Sequence, residues 1–210
     1  MPPRRPSSSA EPTESNERRD QALPGPFLYG RSLVAPVYAG SMSTNDFYDR
    51  IVGLRAHRTY LERALTDEDL SRLLEAARWT GSSKNLQNWS FIVVDGDQRE
   101  RLAECGSFTG PIRNATVVVA LVEESGGNEF DTGRVAQNLM LAADALGIAS
   151  CPITLHRTDE AAAVLGLPSG ARCRYAVSFG YPAEDTAPRP PGGRKPMQEV
   201  AFHNRHGEAW

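Results

Sequence analysis

The sequence is short of several things. It has three cysteines, Cys105, Cys151 and Cys173, far apart and without a Cys-x-x-Cys pair. An odd number at such spacing argues against a disulfide framework or a zinc site. Each reads instead as a small buried hydrophobe, and no metal is expected. Charge of one sign is not in excess: the net charge is −3, whereas a dedicated nucleic-acid binder shows a basic face. No apolar run approaches the roughly 20 residues that span a bilayer. The first residues, MPPRRPSSSAEP, carry charge but no apolar stretch of the kind a secretory signal needs. A cytoplasmic protein is expected, with neither nucleic acid nor membrane as partner. Also missing are a G-x-G-x-x-G after a strand, a P-loop, G-x-S-x-G, H-E-x-x-H and an EF-hand loop. The usual nucleotide, hydrolase and metal signatures are therefore absent, and a flat, polar-edged ligand gains weight.

What is present suits one domain with a tail. The chain has 210 residues, 40% hydrophobic and 23% charged, ordinary values for a globular protein able to bury a core. Residues 1–25 are rich in Pro, Ser, Glu and Arg and poor in bulky apolar groups, so burial cannot offset their ordering entropy and they read as a disordered tail. Residues 26–43 contain Phe27, Leu28, Tyr29, Leu33, Val34, Val37 and Tyr38. They read as a linker or as an arm docked on the domain or on a partner subunit. Met42 is an alternative start, which would make this stretch dispensable for folding. The domain is expected over residues 44–210.

Within it, STNDFYDRIVGLR offers cap residues followed by Phe47, Ile51 and Leu54 at helical spacing. LTDEDLSRLLEAARWTG is a stronger helix. Thr66 caps it with Asp69 three residues on, Leu70, Leu73, Leu74 and Ala77 make its stripe, and Gly81 is placed to end it. Residues 90–94 read as a strand, DGD as a turn, and the residues through Arg101 as a short helix. Residues 115–122, ATVVVALV, are apolar on both faces and so predict a central strand. The longest helix, about Asp131 to Leu146, has Val135, Leu139, Ala142, Ala143 and Leu146 on its core face and Ala136, Met140, Leu141 and Ala145 elsewhere. A helix apolar on most sides must be buried on most sides, and a subunit interface would do that. A strand through Ile153, a helix near 159–165 and a strand YAVSFGYP follow. The tail reads as an extended arm. The alternation of strand and helix by itself points to α/β.

Four stretches invite chemistry. In LRAHRTY, Arg55 and Arg58 lie three apart at a predicted helix end, where two guanidiniums can hold a phosphate or carboxylate; the plain alternative is two solvated arginines. In GSSKNLQNW, Ser82 and Ser83 offer hydroxyls, and Asn85 offers the donor and acceptor that match a ring edge carrying N–H and C=O groups. Gln87 and Trp89 share the parity of Asn85 if this segment is extended. Its alternative is a polar turn with Trp89 in the core. In PGGRKPMQEV, Arg194 and Lys195 follow two glycines and can close over a phosphate, or form a solvated loop. In CPITLHR a strand end opens into a loop at which backbone N–H groups can meet a ligand. There His156 invites an acid–base role, though a surface histidine is the plainer reading.

These pieces occur together and in order. Leu54 to Tyr60, Gly81 to Phe91, Gln137 to Cys151 and Gly193 to Val200 resemble the motif series of the FMN-dependent nitroreductase family. That series runs from a basic R-R-S-x-R, through P-S-x-x-N-x-Q-P-W-x-F and a QNLLLAA-type helix ending in G-S-C, to a basic tail. The resemblance extends from about Phe47 to the C-terminus. It implies an α+β fold, with a central mixed, mostly antiparallel sheet flanked by helices, in an intertwined homodimer with each FMN at the interface and the C-terminal arm around the partner. It implies a cofactor site built from Arg55, Ala56, His57, Arg58, Ser82, Ser83, Asn85, Gln87, Thr154, Leu155 and Arg194. In it Arg55 and Arg194 look like phosphate ligands, and Arg58 like the group facing the flavin N1/O2 edge. Ser82, Ser83 and Asn85 look like the contribution to the partner's flavin, and the backbone of Thr154 and Leu155 like the stretch facing N5. Leu54 and Ala56 depart from the motif's basic residue and serine, Gly81 and Asn88 from its two prolines. Leu155 departs from a glycine, with a side chain that would narrow the space above the ring.

The implied activity passes hydride from NAD(P)H through flavin N5 to a nitroaromatic, quinone or similar acceptor in a ping-pong cycle. No protein residue need act as acid or base, because the ring carries the chemistry. Some similarity to the cyclic-dipeptide oxidase branch, in the tail and around SFIVV and GIASCPITLHR, implies an alternative: an oxidase or dehydrogenase that desaturates a small metabolite. A flavin-binding protein without turnover is the third reading.

Overall fold

A computed structural model of the chain describes residues 44–183 and 193–210. The expectations for residues 1–25 and 26–43 lie outside the described residues. Helix α1 spans Thr44–Gly53, α2 Asp67–Arg78, β1 Trp89–Val94, α3 Gly96–Ala103, α4 Gly110–Asn114, β2 Val117–Glu123, α5 Glu129–Ala145, β3 Ala149–Thr154, α6 Thr158–Leu165 and β4 Arg172–Gly180. Two 3₁₀ turns, Ser83–Asn85 and Met197–Glu199, complete the described elements.

The strand order is β1-β2-β4-β3 and every described pairing is antiparallel. This fixes the class as α+β and corrects two readings: the α/β pattern of the alternation, and the mixed sheet. The reason lies in one insertion. Strands β2 and β3 run the same way and are joined by α5, as in a parallel crossover, but β4 is laid between them and reverses both contacts.

Strand β2 is central, as its two apolar faces predict. Val118, Ala120 and Val122 face a layer holding Leu102, Ile112, Ala161 and Leu155, while Val117, Val119 and Leu121 face Leu73, Ala77, Val135, Leu139 and Ala143. The period-2 alternation of a strand sends successive residues into two separate cores. Helices α3, α4 and α6 cover one face, α2 and α5 the other. No described helix is long and apolar enough to cross a membrane.

Helix α2 starts as its sequence says. The backbone N–H of Asp69 donates to Thr66 Oγ1 at 3.1 Å. The reciprocal arm of a capping box is replaced, because Asp69 Oδ2 accepts from Tyr181 Oη at 2.9 Å and ties the helix to the end of β4. Thr66→Ala is expected to cost about 1 kcal/mol, measured as a lower urea midpoint; parent-like stability would show that the cap contributes nothing. The helix ends at Trp79, whose φ of −79° is not left-handed, so Gly81 is not its terminator. Gly81 serves another purpose: a Cβ there would stand 3.0 Å from Arg134 Nη2, and Arg134 Nη1 donates to the Gly81 carbonyl at 2.6 Å.

Helix α4 escapes the periodicity argument because five residues are too few to show one; Pro111 in its first turn is its sequence signal. The tail is less extended than expected. After the 3₁₀ turn, Phe202 bridges Ala209 in a small exposed hairpin.

Candidate functional site

The residues singled out by sequence fall into separate places. The segment after α1 is irregular, not helical, so Arg55 and Arg58 do not share a helix face. Arg55 turns back and donates from Nη1 to the carbonyls of Val52 and Leu54, each at 2.8 Å, capping the helix it follows. Arg58 points elsewhere. Among the described residues its guanidinium makes one hydrogen bond, a long one of 3.5 Å to the Ala56 carbonyl, and no ion pair. It lines a cavity of about 300 Å³ with Phe108, Pro111, Cys151, Pro152, Thr154 and His156. Ala56 and His57 carry the backbone between the two arginines. His57 Nδ1 is buried without a hydrogen-bond partner.

Strand β3 supplies the cavity floor by alternation. Ile153 and Leu155 turn into the core, whereas Pro152 and His156 are exposed and Thr154 is half-exposed. Leu155 is fully buried and its N–H donates to the Arg174 carbonyl at 2.8 Å. The expectation that its side chain narrows the space above a ring is therefore corrected: that side chain belongs to the core. Cys151 sits in the cavity wall, and burial pushes its thiol above the ordinary range despite the nearby Arg58 cation, so it stays protonated and poorly nucleophilic.

A larger cavity, about 580 Å³, lies beyond α4 and contains Arg99 and Arg113. Glu100 pairs with both guanidiniums and Glu62 also lines the cavity, so the positive charge there is balanced where that of Arg58 is not.

The second group lies at the other edge of the sheet. Residues 80–88 are pinned to α5 and β2: Asn138 Nδ2 donates to Thr80 Oγ1 at 2.8 Å, Arg134 holds Gly81, and Glu124 N donates to the Asn88 carbonyl at 3.1 Å. Within the loop, Gln87 N donates to Ser82 Oγ at 2.9 Å. Lys84, Asn85 and Gln87 have φ of 52°, 55° and 53°. Three left-handed non-glycine residues in four positions cost on the order of 1 kcal/mol each. They also break the strand parity expected to align Asn85, Gln87 and Trp89. Trp89 and Phe91 pack on the α2/α5 core. Ser83 lines a cavity of about 20 Å³ with Asn128, Asp131 and Thr132, near the size of one water.

Trp89 pairs with Glu123, and Thr154 with Tyr175 three positions beyond the start of β4. Both groups thus lie toward the same end of the sheet but on its opposite edge strands, three strand spacings or roughly 14 Å apart. Arg194 is exposed and makes no hydrogen bond or ion pair with either group among the described residues. The residues that sequence reasoning passed over are Phe108, Pro111 and Cys151, which reach the Arg58 cavity from the loop before α4, from α4 and from the buried face of β3 respectively. Pro111 alone left a sequence signal.

Residues 51–105 and 112–181 match the family described as the Nitroreductase family. Among curated relatives, the chain is 29% identical over 143 residues to an Archaeoglobus fulgidus protein assigned as an NADH dehydrogenase/NAD(P)H nitroreductase, covering 62% of this chain and 82% of that one. It is 23% identical over 189 residues to the FMN reductase (NADPH) of Bacillus subtilis, covering 77% and 75%. Among solved structures it is similar to a Desulfovibrio desulfuricans protein assigned as a nitroreductase and crystallised in complex with FMN. The TM-score is 0.66 and the identity 26%, covering 78% of this chain and 99% of that one.

Proposed function

We infer, from the premise that this chain belongs to the nitroreductase family, that it is an FMN-dependent oxidoreductase fed by NADH or NADPH. The observation that carries the reading is Arg58, a guanidinium with no anionic partner among the described residues, standing in a cavity whose apolar walls are Phe108, Pro111, Pro152 and Ile153 and whose other lining residues are Cys151, Thr154 and His156. Such a set suits a flat ring with an electron-rich edge. Apolar faces take the ring, and the fixed cation meets the edge where negative charge gathers on reduction. The relative crystallised with FMN supports the same choice.

Bound FMN would supply the two-electron chemistry, accepting hydride from the nicotinamide and passing it to a nitroaromatic, quinone or related acceptor in alternate half-reactions. Arg58 would hold the pyrimidine edge of the ring. Thr154 would face it from β3. Phe108, Pro111 and Pro152 would exclude water, strengthening the field of Arg58. Cys151, buried and protonated, takes no part as a nucleophile.

We propose further that two copies of the chain complete each site, Ser82, Ser83 and Asn85 reaching the partner's ring and Arg194 its phosphate. The separation of the two groups on opposite sheet edges supports this, since one chain does not bring them together. So do the exposed Phe47, Tyr48, Ile51 and Val52 on α1, which would be covered by self-association. The test is direct. Purified protein is expected to bind FMN, to sediment at twice 22.9 kDa, and to bleach when mixed anaerobically with NADPH or NADH. Colourless protein that ignores added FMN would sink the reading. Yellow protein bleached by neither nucleotide would reject the reductase in favour of an oxidase or a non-catalytic flavin protein.

A further inference from the structure

Residues 57–61 form neither helix nor extended ladder, yet they are fixed at almost every peptide. His57 N donates to the Ser150 carbonyl at 2.9 Å, and Leu61 N to the Tyr181 carbonyl at 2.9 Å. Asn114 Nδ2 donates to the Arg58 carbonyl at 3.3 Å. Between these ties lies one buried phenol. Tyr60 Oη donates to the His57 carbonyl at 2.7 Å and shares a 2.8 Å hydrogen bond with Ser178 Oγ. Ser178 is fully buried, and its hydroxyl lies 3.3 Å from the Cys151 carbonyl. The ring of Tyr60 rests directly on Gly180. A Cβ at Gly180 would fall 2.6 Å from Tyr60 Cβ and 2.7 Å from Cγ, so only glycine at the end of β4 admits this contact.

The consequence concerns Arg58. Tyr60 does not line the Arg58 cavity, but its hydroxyl grips the carbonyl of the residue just before Arg58. We infer that Tyr60 is a positioning residue: through the hydrogen bond from its hydroxyl it fixes the His57 carbonyl and hence the direction in which Arg58 enters the cavity beside Thr154. The Arg58 guanidinium has one weak internal bond among the described residues, so the backbone that carries it decides where its charge lies. Burial raises the phenol's ionisation well above the ordinary tyrosine range, so it stays a donor at working pH. The inference rests on the reading of Arg58 as the group that faces the flavin.

The test uses the full chain and a double-mutant cycle. Tyr60→Phe keeps the ring on Gly180 and removes only the hydroxyl. It is expected to weaken FMN binding about 2- to 12-fold, the range for one lost hydrogen bond, and to speed amide exchange at 57–61 in the FMN-free protein. On an Arg58→Ala background the same substitution is expected to leave FMN affinity unchanged, because no guanidinium remains to misplace. Ser178→Ala spares the Tyr60–His57 bond and is expected to hold affinity within about twofold of the parent. Two results would overturn the inference alone: a Tyr60→Phe effect of equal size on both backgrounds, or an unchanged affinity while Arg58→Ala still weakens binding. A Ser178→Ala loss matching that of Tyr60→Phe would also overturn it, by moving the effect to the β3–β4 pair. If Arg58→Ala binds FMN as the parent does, the reading of Arg58 falls and this inference with it.

Discussion

Phe179→Ala is expected to lower the stability of the domain by about 3–5 kcal/mol. The ring is fully buried on β4, among Leu73, Leu139, Val117 and Val177. It sits where β2, β4 and the α2/α5 layer meet, and its backbone carbonyl accepts from both the N–H and the hydroxyl of Thr116. Those elements are tied at several other points, so the site has little freedom to collapse around the missing ring, and the cavity term adds to the lost transfer energy. A domain of this size has about 5–15 kcal/mol in total. With about 2 kcal/mol per molar of urea for a small domain, the midpoint is expected to fall by roughly 2 M. A shift below about half a molar would mean that Phe179 is not at the centre of that layer.

Arg58→Ala is the second large effect, and of the opposite kind. Arg58 is exposed and its one internal bond is long, so the urea midpoint is expected to stay where it was. FMN affinity is expected to fall about 10- to 150-fold, the range for losing a hydrogen bond to a charged group. Arg58→Lys keeps the charge but loses the planar fork, and an intermediate affinity is expected. Fluorescence titration of FMN against the three proteins decides the matter. Equal affinities for parent and alanine variant would remove Arg58 from the site. A loss of stability in step with a loss of affinity would make its role structural. The two substitutions thus separate the scaffold from the site: one destabilises the sheet that carries Thr154, and the other leaves the sheet intact and removes the Arg58 charge from the cavity.

Much of the scaffold was legible because its signals are local. Thr66 capping α2, the two apolar faces of β2 and the long α5 each follow from residues within a few positions of one another. The motif order was enough to place the chain in its family. The site was legible only as residue types. Sequence named Arg58 and Thr154, but it could not show that β3 lies at a sheet edge next to residues 57–61, because that neighbourhood depends on β4 inserting between β2 and β3.

The parity argument for Asn85, Gln87 and Trp89 failed for a related reason. Left-handed backbone at three non-glycine residues is held in place by Arg134, Asn138 and Glu124, all far along the chain. Leu155 shows the same division: its identity suggested an obstruction above a ligand, while its position on the strand turned it into the core. By itself, the sequence determined the helices other than α4, the central strand, the family and the chemical types available at the site, since caps, periodicity and motif order are short-range properties. The tertiary structure alone decided the all-antiparallel strand order, the separation of the serine–asparagine loop from Arg58, and the burial of Tyr60 against Gly180. Each of these requires a long-range contact, and no local preference specifies which distant strand a segment will meet.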